Sequence, residues 1–554
     1  MDGFTASPVA VTWPKTTRNS KEFRYIRLPE PHWCAARLSI KLNKHNPFLM
    51  QNSISFAVAV TFFLYLLLML GIGLWAWRRT HDSADYFLGG RQLGPWPTAL
   101  SAGASDMSGW LLLGLPGFAF TSGLQSLWLA GGLLLGTWLN WLVVARALRQ
   151  FTAEADDALT IPEYLANRFG DPNHALQAIA ALFILLFFLF YTSSGLVAGG
   201  KLFETLFGLD AGLATAIGAL VIMSYTLTGG FLAVSWTDLV QGLLMLAALL
   251  LVPVIAMQAD DGFLAMQTRL HADHPALMSL WSNDKGEPLG LIAIISLAAW
   301  GLGYFGQPHI LARFAGIRDQ QAVPAARRIA VTWTALSLAG AVLVGLAGLV
   351  WVDSHLGGEL ADAETIFMVL VEALFHPIIA GVLLAAILAA IMSTADSQLL
   401  VSSSALTEDL YRQLFRRQAS TKEIVLVGRL AVVALALVAL LLALEPDNSV
   451  LGLVAYAWAG FGAAFGPVLV LSLYWRGMTR AGALAGIIAG GVTVVVWKAL
   501  EGGIFELYEI VPGILAATLA VVIGSRLSAP TAPDILARFE RFRIASDAPA
   551  AAGR

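Results

Sequence analysis

The sequence is poor in the residues that build soluble catalytic centres. Among 554 residues there is one cysteine, Cys34, which excludes a disulfide within the chain and any cysteine-based metal or iron–sulfur site. Charged residues make up 13% of the chain, and no polar stretch is long enough to bury a core of its own. The sequence also contains no histidine pair at metal-ligand spacing and no arrangement of nucleophile and base. These absences argue against an enzyme, whether soluble or membrane-bound.

Apolar residues are abundant instead. They form 57% of the chain, the mean hydropathy is +0.71, and runs long enough to cross a bilayer recur from the first fifties to the five-hundred-twenties. We therefore predict an all-α integral membrane protein with about thirteen transmembrane helices, in a transporter domain over residues 50–528. The predicted spans lie near 54–77, 96–120, 124–147, 174–202, 211–228, 234–257, 288–305, 329–352, 374–404, 424–444, 449–474, 480–500 and 507–526.

Basic residues predict the orientation. Arg and Lys are concentrated after the first, third, seventh, ninth, eleventh and thirteenth predicted spans, and the intervening loops are poor in them. Loops rich in Lys and Arg stay on the cytoplasmic side. The first span is therefore expected to start outside, and the tail of residues 529–554 to be cytoplasmic.

Residues 1–49 differ from the rest. They carry eight Lys or Arg and three acids, without helical or strand periodicity and without the apolar core of a signal peptide. The positive-inside rule would place this basic extension on the wrong side of the membrane. We expect translation to begin at Met50, so that residues 1–49 would not belong to the native protein. The alternative is that they form a disordered tail.

Residues 98–116 are apolar enough to span but are unusual for a membrane helix. Small and hydroxyl residues crowd their middle around a carboxylate, Asp106. A charge at membrane depth costs a few kcal/mol and by default marks an ion or substrate path. Small flanking residues allow the helix to unwind, and bare carbonyls are tolerated there only where they line a cavity. The pattern predicts a broken helix that holds a small cation and a small solute.

A second predicted span is also interrupted. The seventh predicted span contains Gly301, Gly303, Gly306 and Pro308, which is more than helix packing requires. It stands five helices after the broken second span, so the two have opposite orientations. Such a pair predicts an inverted-repeat transporter with its site at the midplane. The expected repeats cover about 96–257 and 288–474.

The ninth predicted span supplies hydroxyl groups. Ala390, Ser393 and Thr394 fall at i, i+3 and i+4 and share one helical face. Their hydroxyls could simply bond to carbonyls of their own helix, or they could join freed carbonyls as oxygen ligands of a sodium ion. Asp396 is expected to have a structural role, with an ion-sensitive role as the alternative. Asp238 and Arg91 are likewise expected to anchor helix ends, with gating of ion release as the alternative.

Seven stretches of the sequence resemble those of a known protein family. From Met50 to about Arg526 the chain resembles the sodium/solute symporter family, and in particular its proline-carrying bacterial members. The matching stretches are S-A-G-A-S-D-M-S-G-W (101–110), L-T-I-P-E-Y (159–164), T-G-G-F-L-A-V-S-W-T-D (228–238), W-G-L-G-Y-F-G-Q-P-H-I-L-A-R-F (300–314), I-L-A-A-I-M-S-T (387–394), A-L-T-E-D-L-Y (405–411) and A-Y-A-W-A-G-F-G-A-A-F-G-P (455–467).

The resemblance implies a fold, an activity and a site. The fold is LeuT-like, with a five-plus-five inverted repeat, one helix before it and two after. The activity is sodium-coupled uptake of L-proline by alternating access across a bacterial inner membrane. Sodium would bind main-chain oxygens of Ala104, Met107 and Ala390 and the hydroxyls of Ser393 and Thr394, with Asp106 needed for coupling. The implied proline contacts are Ser108, Tyr191, Trp300, Tyr304, Gln307 and Pro308.

The sequence also allows other functions. A carrier coupled to sodium or protons for another small organic solute is the main alternative. A solute sensor is a weaker one, because the tail after Arg526 is too short for a signalling module. Apart from sodium as coupling ion we expect no cofactor. The expected partners are proline, sodium and the lipid bilayer, without nucleic acid or an obligate protein partner.

Overall fold

The structure is a computed structural model, and it describes residues 47–79, 88–226, 230–358, 360–445 and 449–547. Most of the predicted N-terminal extension and the last seven residues of the tail lie outside these ranges. Within them the regular structure is helical. Two isolated backbone bridges, Leu93 with Ile317 and Ser282 with Pro288, are the remaining pairings of extended chain in this part of the protein.

The α-helices are numbered in chain order. They are α1 Pro47–Trp77, α2 Pro95–Met107, α3 Gly114–Ser122, α4 Ser126–Val143, α5 Ala145–Glu154, α6 Ile161–Phe169, α7 Ala175–Phe207, α8 Ala211–Thr226, α9 Phe231–Ala259, α10 Phe263–Asp273, α11 Leu291–Ala298, α12 Pro308–Gly316, α13 Val323–Leu356, α14 Ile366–Leu374, α15 Pro377–Ser404, α16 Thr421–Ala443, α17 Val450–Tyr474, α18 Arg480–Lys498, α19 Ile510–Leu527 and α20 Pro533–Asp547.

Tighter or wider turns connect several of these helices. Short 3₁₀ helices are Gly89–Arg91, Gly109–Leu111, Gly123–Gln125, Pro275–Met278, Ala299–Gly306, Ala363–Thr365 and Gly503–Glu506, and a π-helix, Ala405–Phe415, extends α15.

The described helices are those of a protein that crosses a membrane many times. Ten are long and apolar enough to span by length and composition, or eleven if the bent pair of α11 and α12 is one span. One of the ten, Gly109–Val143, has 35 residues and covers parts of two predicted spans. Helices α1, α16, α18 and α19 expose many large apolar side chains. A surface covered by exposed apolar side chains is suited to contact with lipid rather than with water.

Hydroxyl residues start several helices. Thr160, Ser420, Ser449 and Thr479 each accept a hydrogen bond from the amide three residues later, at the first turns of α6, α16, α17 and α18. Each side chain thereby satisfies an amide that lacks a partner within its helix. The sequence therefore fixes these four helix starts locally.

The most buried helices lie at the centre. The most apolar windows of α13, α15 and α17 are 78%, 83% and 72% buried, against 28% for both α1 and α19. Helix α2 packs against α9, α12, α13 and α15, while residues 299–306 lie between α4 and α17. This arrangement places both interrupted spans in the interior.

Glycines bring α4 close to the second interruption. A Cβ atom on Gly132 would lie 2.3 Å from the carbonyl oxygen of Ala298, and one on Gly136 would lie 2.1 Å from that of Gly301. Real Cβ atoms do not approach backbone atoms so closely. The two glycines therefore allow the backbones of α4 and of residues 298–301 to touch.

Candidate functional site

The first interruption lies at Ser108. Helix α2 ends at Met107, and Ser108 has φ 48° and ψ −170°, so its backbone leaves the helical path. Positive φ is uncommon for a residue with a side chain. The Ser108 side chain accepts a hydrogen bond from the amide of Trp110 at 3.2 Å, and regular α-helix resumes only at Gly114. The break predicted within residues 98–116 is therefore present.

The second interruption lies between α11 and α12. Residues 299–306 form a 3₁₀ helix, and the path bends by 47° before Pro308. Side chains of other helices satisfy part of its backbone. The indole nitrogen of Trp458 donates to the carbonyl of Trp300 at 2.6 Å, and the amide nitrogen of Asn140 donates to that of Tyr304 at 3.0 Å. Helices α17 and α4 thus support the broken segment from two sides.

Hydroxyl and carbonyl oxygens converge where α2 meets α15. The Ser393 hydroxyl lies 2.9 Å from the carbonyl oxygen of Ala104 and 3.1 Å from that of Ala390, and the Thr394 hydroxyl lies 3.4 Å from that of Ala104. All four residues are buried. Four of the five predicted sodium ligands are therefore within one cluster. The fifth, Met107, is the last residue of α2 and lines the cavity beside it.

A narrow cavity of about 10 Å³ lies beside this cluster, which is roughly the space that a single water molecule needs. Both interrupted spans contribute to its wall. Its lining residues are Asp106, Met107, Trp110, Leu133, Tyr191, Trp300, Tyr304, Val454 and Trp458. Aromatic walls with a single carboxylate suit a small solute that carries both an apolar part and a positive charge.

Asp106 links the cavity to the broken backbone. Its carboxylate accepts a hydrogen bond from the Tyr304 hydroxyl at 2.6 Å, and its main-chain carbonyl accepts one from the Tyr191 hydroxyl at 2.7 Å. Both tyrosines are buried. Two phenols from different helices therefore hold one residue, which lies two positions after the Ala104 carbonyl of the oxygen cluster.

The other predicted substrate contacts do not line the cavity. Ser108 caps the break, as described above. Gln307 is fully buried and donates to the carbonyls of Gly303 and Trp458 at 3.2 and 3.3 Å. Pro308 lines a different cavity, together with Thr160, Ser404 and other residues. The structure thus gathers three of the six predicted contacts, namely Tyr191, Trp300 and Tyr304.

Several lining residues were not predicted. Trp110 and Trp458 both occur in stretches that carry the family resemblance, so a sequence signal existed for them. Trp110 stacks on Trp300 with ring centres 5.8 Å apart, and Trp458 meets Tyr304 edge to face at 5.0 Å. Leu133 and Val454 are apolar residues of apolar helices, and nothing in the sequence distinguishes them from packing residues.

A second polar cluster lies nearby. Asp238 of α9 and Arg313 of α12 are fully buried and form an ion pair at 3.3 Å. The Ser101 hydroxyl donates to Asp238 at 2.6 Å and accepts from Arg313 at 3.0 Å, while Arg313 also donates to Ser397. The cluster therefore joins α2, α9, α12 and α15. Asp396, adjacent to Ser397, is fully buried in the same helix.

Arg91 contacts several loop and helix ends. Its guanidinium donates to the carbonyls of Ala158 and Ala315 and to the Thr152 hydroxyl, at 3.0 to 3.2 Å. It also lies 3.5 Å from the carboxylate of Asp157. These contacts agree with anchoring, which remains the expectation for this residue. Asp238 lies in the first half of α9 rather than at its end, where it pairs with Arg313.

The site is built mainly from hydroxyl and carbonyl oxygens and from aromatic rings. Among the described residues, no group of three or more His, Cys, Asp or Glu could hold a metal ion through those side chains. The oxygen cluster of hydroxyls and carbonyls instead suits a hard monovalent cation.

Sequence comparisons identify similar proteins. The profile of the sodium:solute symporter family matches residues 86–490. The sodium/proline symporter of Salmonella typhimurium is 52% identical over 494 residues, which cover 88% of this chain and 96% of that protein. The high-affinity proline transporter PutP of Bacillus subtilis is 50% identical over 468 residues, or 84% of this chain and 97% of that protein.

The solved structures support the fold. The substrate-bound, outward-open structure of a Na⁺-coupled sialic acid symporter matches 86% of this chain and 99% of its own with a TM-score of 0.71. Its sequence identity is 21%, so the likeness concerns the fold alone.

The Asp238–Arg313 pair gives a stability prediction. Asp238→Asn should destabilise the protein by about 3 to 5 kcal/mol, because it leaves the buried Arg313 charge uncompensated. The double variant Asp238→Asn with Arg313→Gln should recover most of this loss. The measurement is thermal unfolding of the purified protein in detergent.

The control is the exposed pair of Arg318 and Asp319, which are 3.1 Å apart. Asp319→Asn should cost less than about 1 kcal/mol, since exposed pairs contribute little. An Asp238→Asn variant as stable as the unaltered protein would contradict this account of the pair.

Proposed function

Because the chain belongs to the sodium:solute symporter family, we propose that it couples the inward movement of sodium to the uptake of L-proline. As a family member it is a sodium-coupled transporter and not an enzyme. The observation that carries the proposal is the contact of the Ser393 and Thr394 hydroxyls with the Ala104 carbonyl, beside a cavity that contains Asp106.

Proline as the substrate is supported by two kinds of evidence. The relatives that share about half of the sequence carry proline in their names. The chemistry of the cavity is also suitable, since proline has a small apolar ring for aromatic walls and a cationic nitrogen for carbonyl or carboxylate oxygens. The contacts we propose are Ser108, Tyr191, Trp300, Tyr304, Gln307 and Pro308. The lining of the cavity supports Tyr191, Trp300 and Tyr304 most directly.

For sodium we propose main-chain oxygens of Ala104, Met107 and Ala390 and the hydroxyls of Ser393 and Thr394. In this structure the two hydroxyls donate hydrogen bonds to the carbonyl oxygens of Ala104 and Ala390. A cation bound between these oxygens could replace the hydrogen bonds with little rearrangement. Asp106 would act on the ion through its nearby charge rather than as the sole ligand. Its hydrogen bonds to Tyr191 and Tyr304 would transmit the occupancy of the sodium site to the cavity.

We also propose the finer architecture. It comprises thirteen transmembrane helices, with a five-plus-five inverted repeat over about 96–257 and 288–474, one helix before it and two after. The transporter domain would span residues 50–528, in a bacterial inner membrane with its N-terminus outside and the tail of residues 529–554 in the cytoplasm. The two interrupted spans and the distribution of basic residues support this arrangement.

Transport would proceed by alternating access. Sodium binding ties α2 to α15 and favours the outward-open form, proline completes the site, and the halves then rock so that both leave inward. One positive charge crossing about 100 mV contributes roughly 2.3 kcal/mol, and a tenfold sodium gradient adds about 1.4 kcal/mol. Together these allow roughly several-hundred-fold accumulation of the solute.

Uptake into vesicles tests the proposed function. Membrane vesicles that contain the protein should accumulate radiolabelled proline when an inward sodium gradient is applied, and should not when choline replaces sodium or when a proton gradient is applied alone. Unlabelled proline should compete, and other amino acids should compete poorly. Uptake driven by protons alone, or inhibition only by a different solute, would favour a carrier of another type and overturn the proposal.

The proposed sodium ligands give a second test. Ser393→Ala should weaken sodium activation of proline uptake about tenfold or more, because an interaction between a charge and a buried oxygen is lost. Ser404→Ala is the matched control. It lies on the same helix about 15 Å further along, where its hydroxyl bonds only to the local carbonyl of Val401 among the contacts described. Equal sodium dependence of the two variants would count against the assignment of Ser393.

A further inference from the structure

Trp300 lines the cavity, and its ring stacks on two other aromatic rings. The ring of Trp110 has its centre 5.8 Å away with an interplanar angle of 24°, and the ring of Tyr508 has its centre 5.5 Å away, also at 24°. Trp110 lines the cavity as well, whereas Tyr508 does not. Tyr508 therefore contacts Trp300 away from the cavity.

The position of Tyr508 is fixed by hydrogen bonds at both ends of the residue. Its amide donates to the Ser296 hydroxyl at 2.9 Å, and its own hydroxyl donates to the carbonyl of Ala455 at 2.7 Å. Ser296 lies in α11, directly before the interrupted segment, and Ala455 lies in α17. Tyr508 is therefore attached to the two helices that flank Trp300.

The backbone and the ring of Trp300 are supported separately. Trp458 holds the Trp300 carbonyl, as described above. That bond holds the backbone of Trp300 and does not by itself define the plane of the ring. Stacking is the interaction that restricts an aromatic plane, and an offset parallel pair contributes beyond the area that it buries. Tyr508 is thus placed to set the plane of the Trp300 ring.

We propose that Tyr508 is a positioning residue that determines substrate ring selectivity by fixing the tilt of Trp300. This rests on the proposed function, because it takes the Trp300 cavity to be the proline site. Tyr508 precedes α19, which lies after both proposed repeats. The residue would therefore give a segment outside the repeats a part in recognition. A larger ring would require Trp300 to tilt further than a five-membered one does, because the cavity that Trp300 lines has little free space.

The test compares Tyr508→Leu, which removes the stacked ring, with Tyr508→Phe, which keeps it and removes the hydroxyl. Tyr508→Leu should weaken proline binding about three- to tenfold and leave sodium binding measured without proline unchanged. Competition by pipecolate, which has a six-membered ring, should improve relative to proline at least threefold. Tyr508→Phe keeps the stacked ring and loses only the bond to Ala455, so it should show a smaller change than Tyr508→Leu in each measurement.

Two further variants show whether Tyr508 acts through Trp300. In a Trp300→Ala background, adding Tyr508→Leu should change neither proline affinity nor ring selectivity, because the ring to be positioned is absent. Phe505→Leu is the matched control. Phe505 lies three residues earlier and pairs with Trp497 at 4.8 Å rather than with Trp300, so its loss should leave ring selectivity unchanged.

Several results would overturn the proposal. They are an unchanged ring selectivity in Tyr508→Leu, an equal loss in Tyr508→Phe, and an equal loss of sodium and proline affinity. An additive effect in the Trp300→Ala background would also overturn it. Absence of sodium-dependent proline uptake in the unaltered protein would instead overturn the proposed function, so the two failures are distinguishable.

Discussion

The structure depends on one constraint, which is that backbone polar groups inside a membrane must find partners within the protein. Two spans are interrupted here, and hydrogen bonds from side chains support the backbone at each interruption. Ser108 caps the first break, and Trp458 and Asn140 hold carbonyls of the second. The glycines of α4 allow the close approach that this support requires. Carbonyls that remain near the breaks then become available as ligands.

The same breaks bring the two proposed sites together. The Ala104 carbonyl contacts the hydroxyls of α15, while Asp106, two residues further on, faces the aromatic cavity. Asp106 accepts hydrogen bonds from Tyr191 of the first proposed repeat and from Tyr304 of the second. In the proposed mechanism, a change at the cation site would reach the solute site through one short stretch of backbone. Such proximity offers a physical route for coupling, and binding free energies coupled in this way are reciprocal.

The sequence predicted the interruptions and the hydroxyl face because each leaves a local signal. A carboxylate among small residues, a run of glycines before a proline, and Ser393 beside Thr394 are all visible within one helix. Partners from distant helices left no such signal. Nothing in the sequence distinguishes Asn140 and Leu133 from other residues of an apolar helix. Asp238 was predicted to anchor a helix end, and its pairing with Arg313 was not predicted. The number of spans stays a prediction, since ten or eleven of the described helices are long and apolar enough to cross a membrane and one of these, Gly109–Val143, covers parts of two predicted spans.

The most direct test of the central claim is the thermodynamic coupling between sodium and proline binding in purified protein. Proline affinity is measured across sodium concentrations, and sodium affinity across proline concentrations, in the unaltered protein and in Asp106→Asn. The account predicts that each ligand strengthens the other by the same factor in the unaltered protein, and that this factor falls close to one in Asp106→Asn. An undiminished coupling factor in that variant would contradict it.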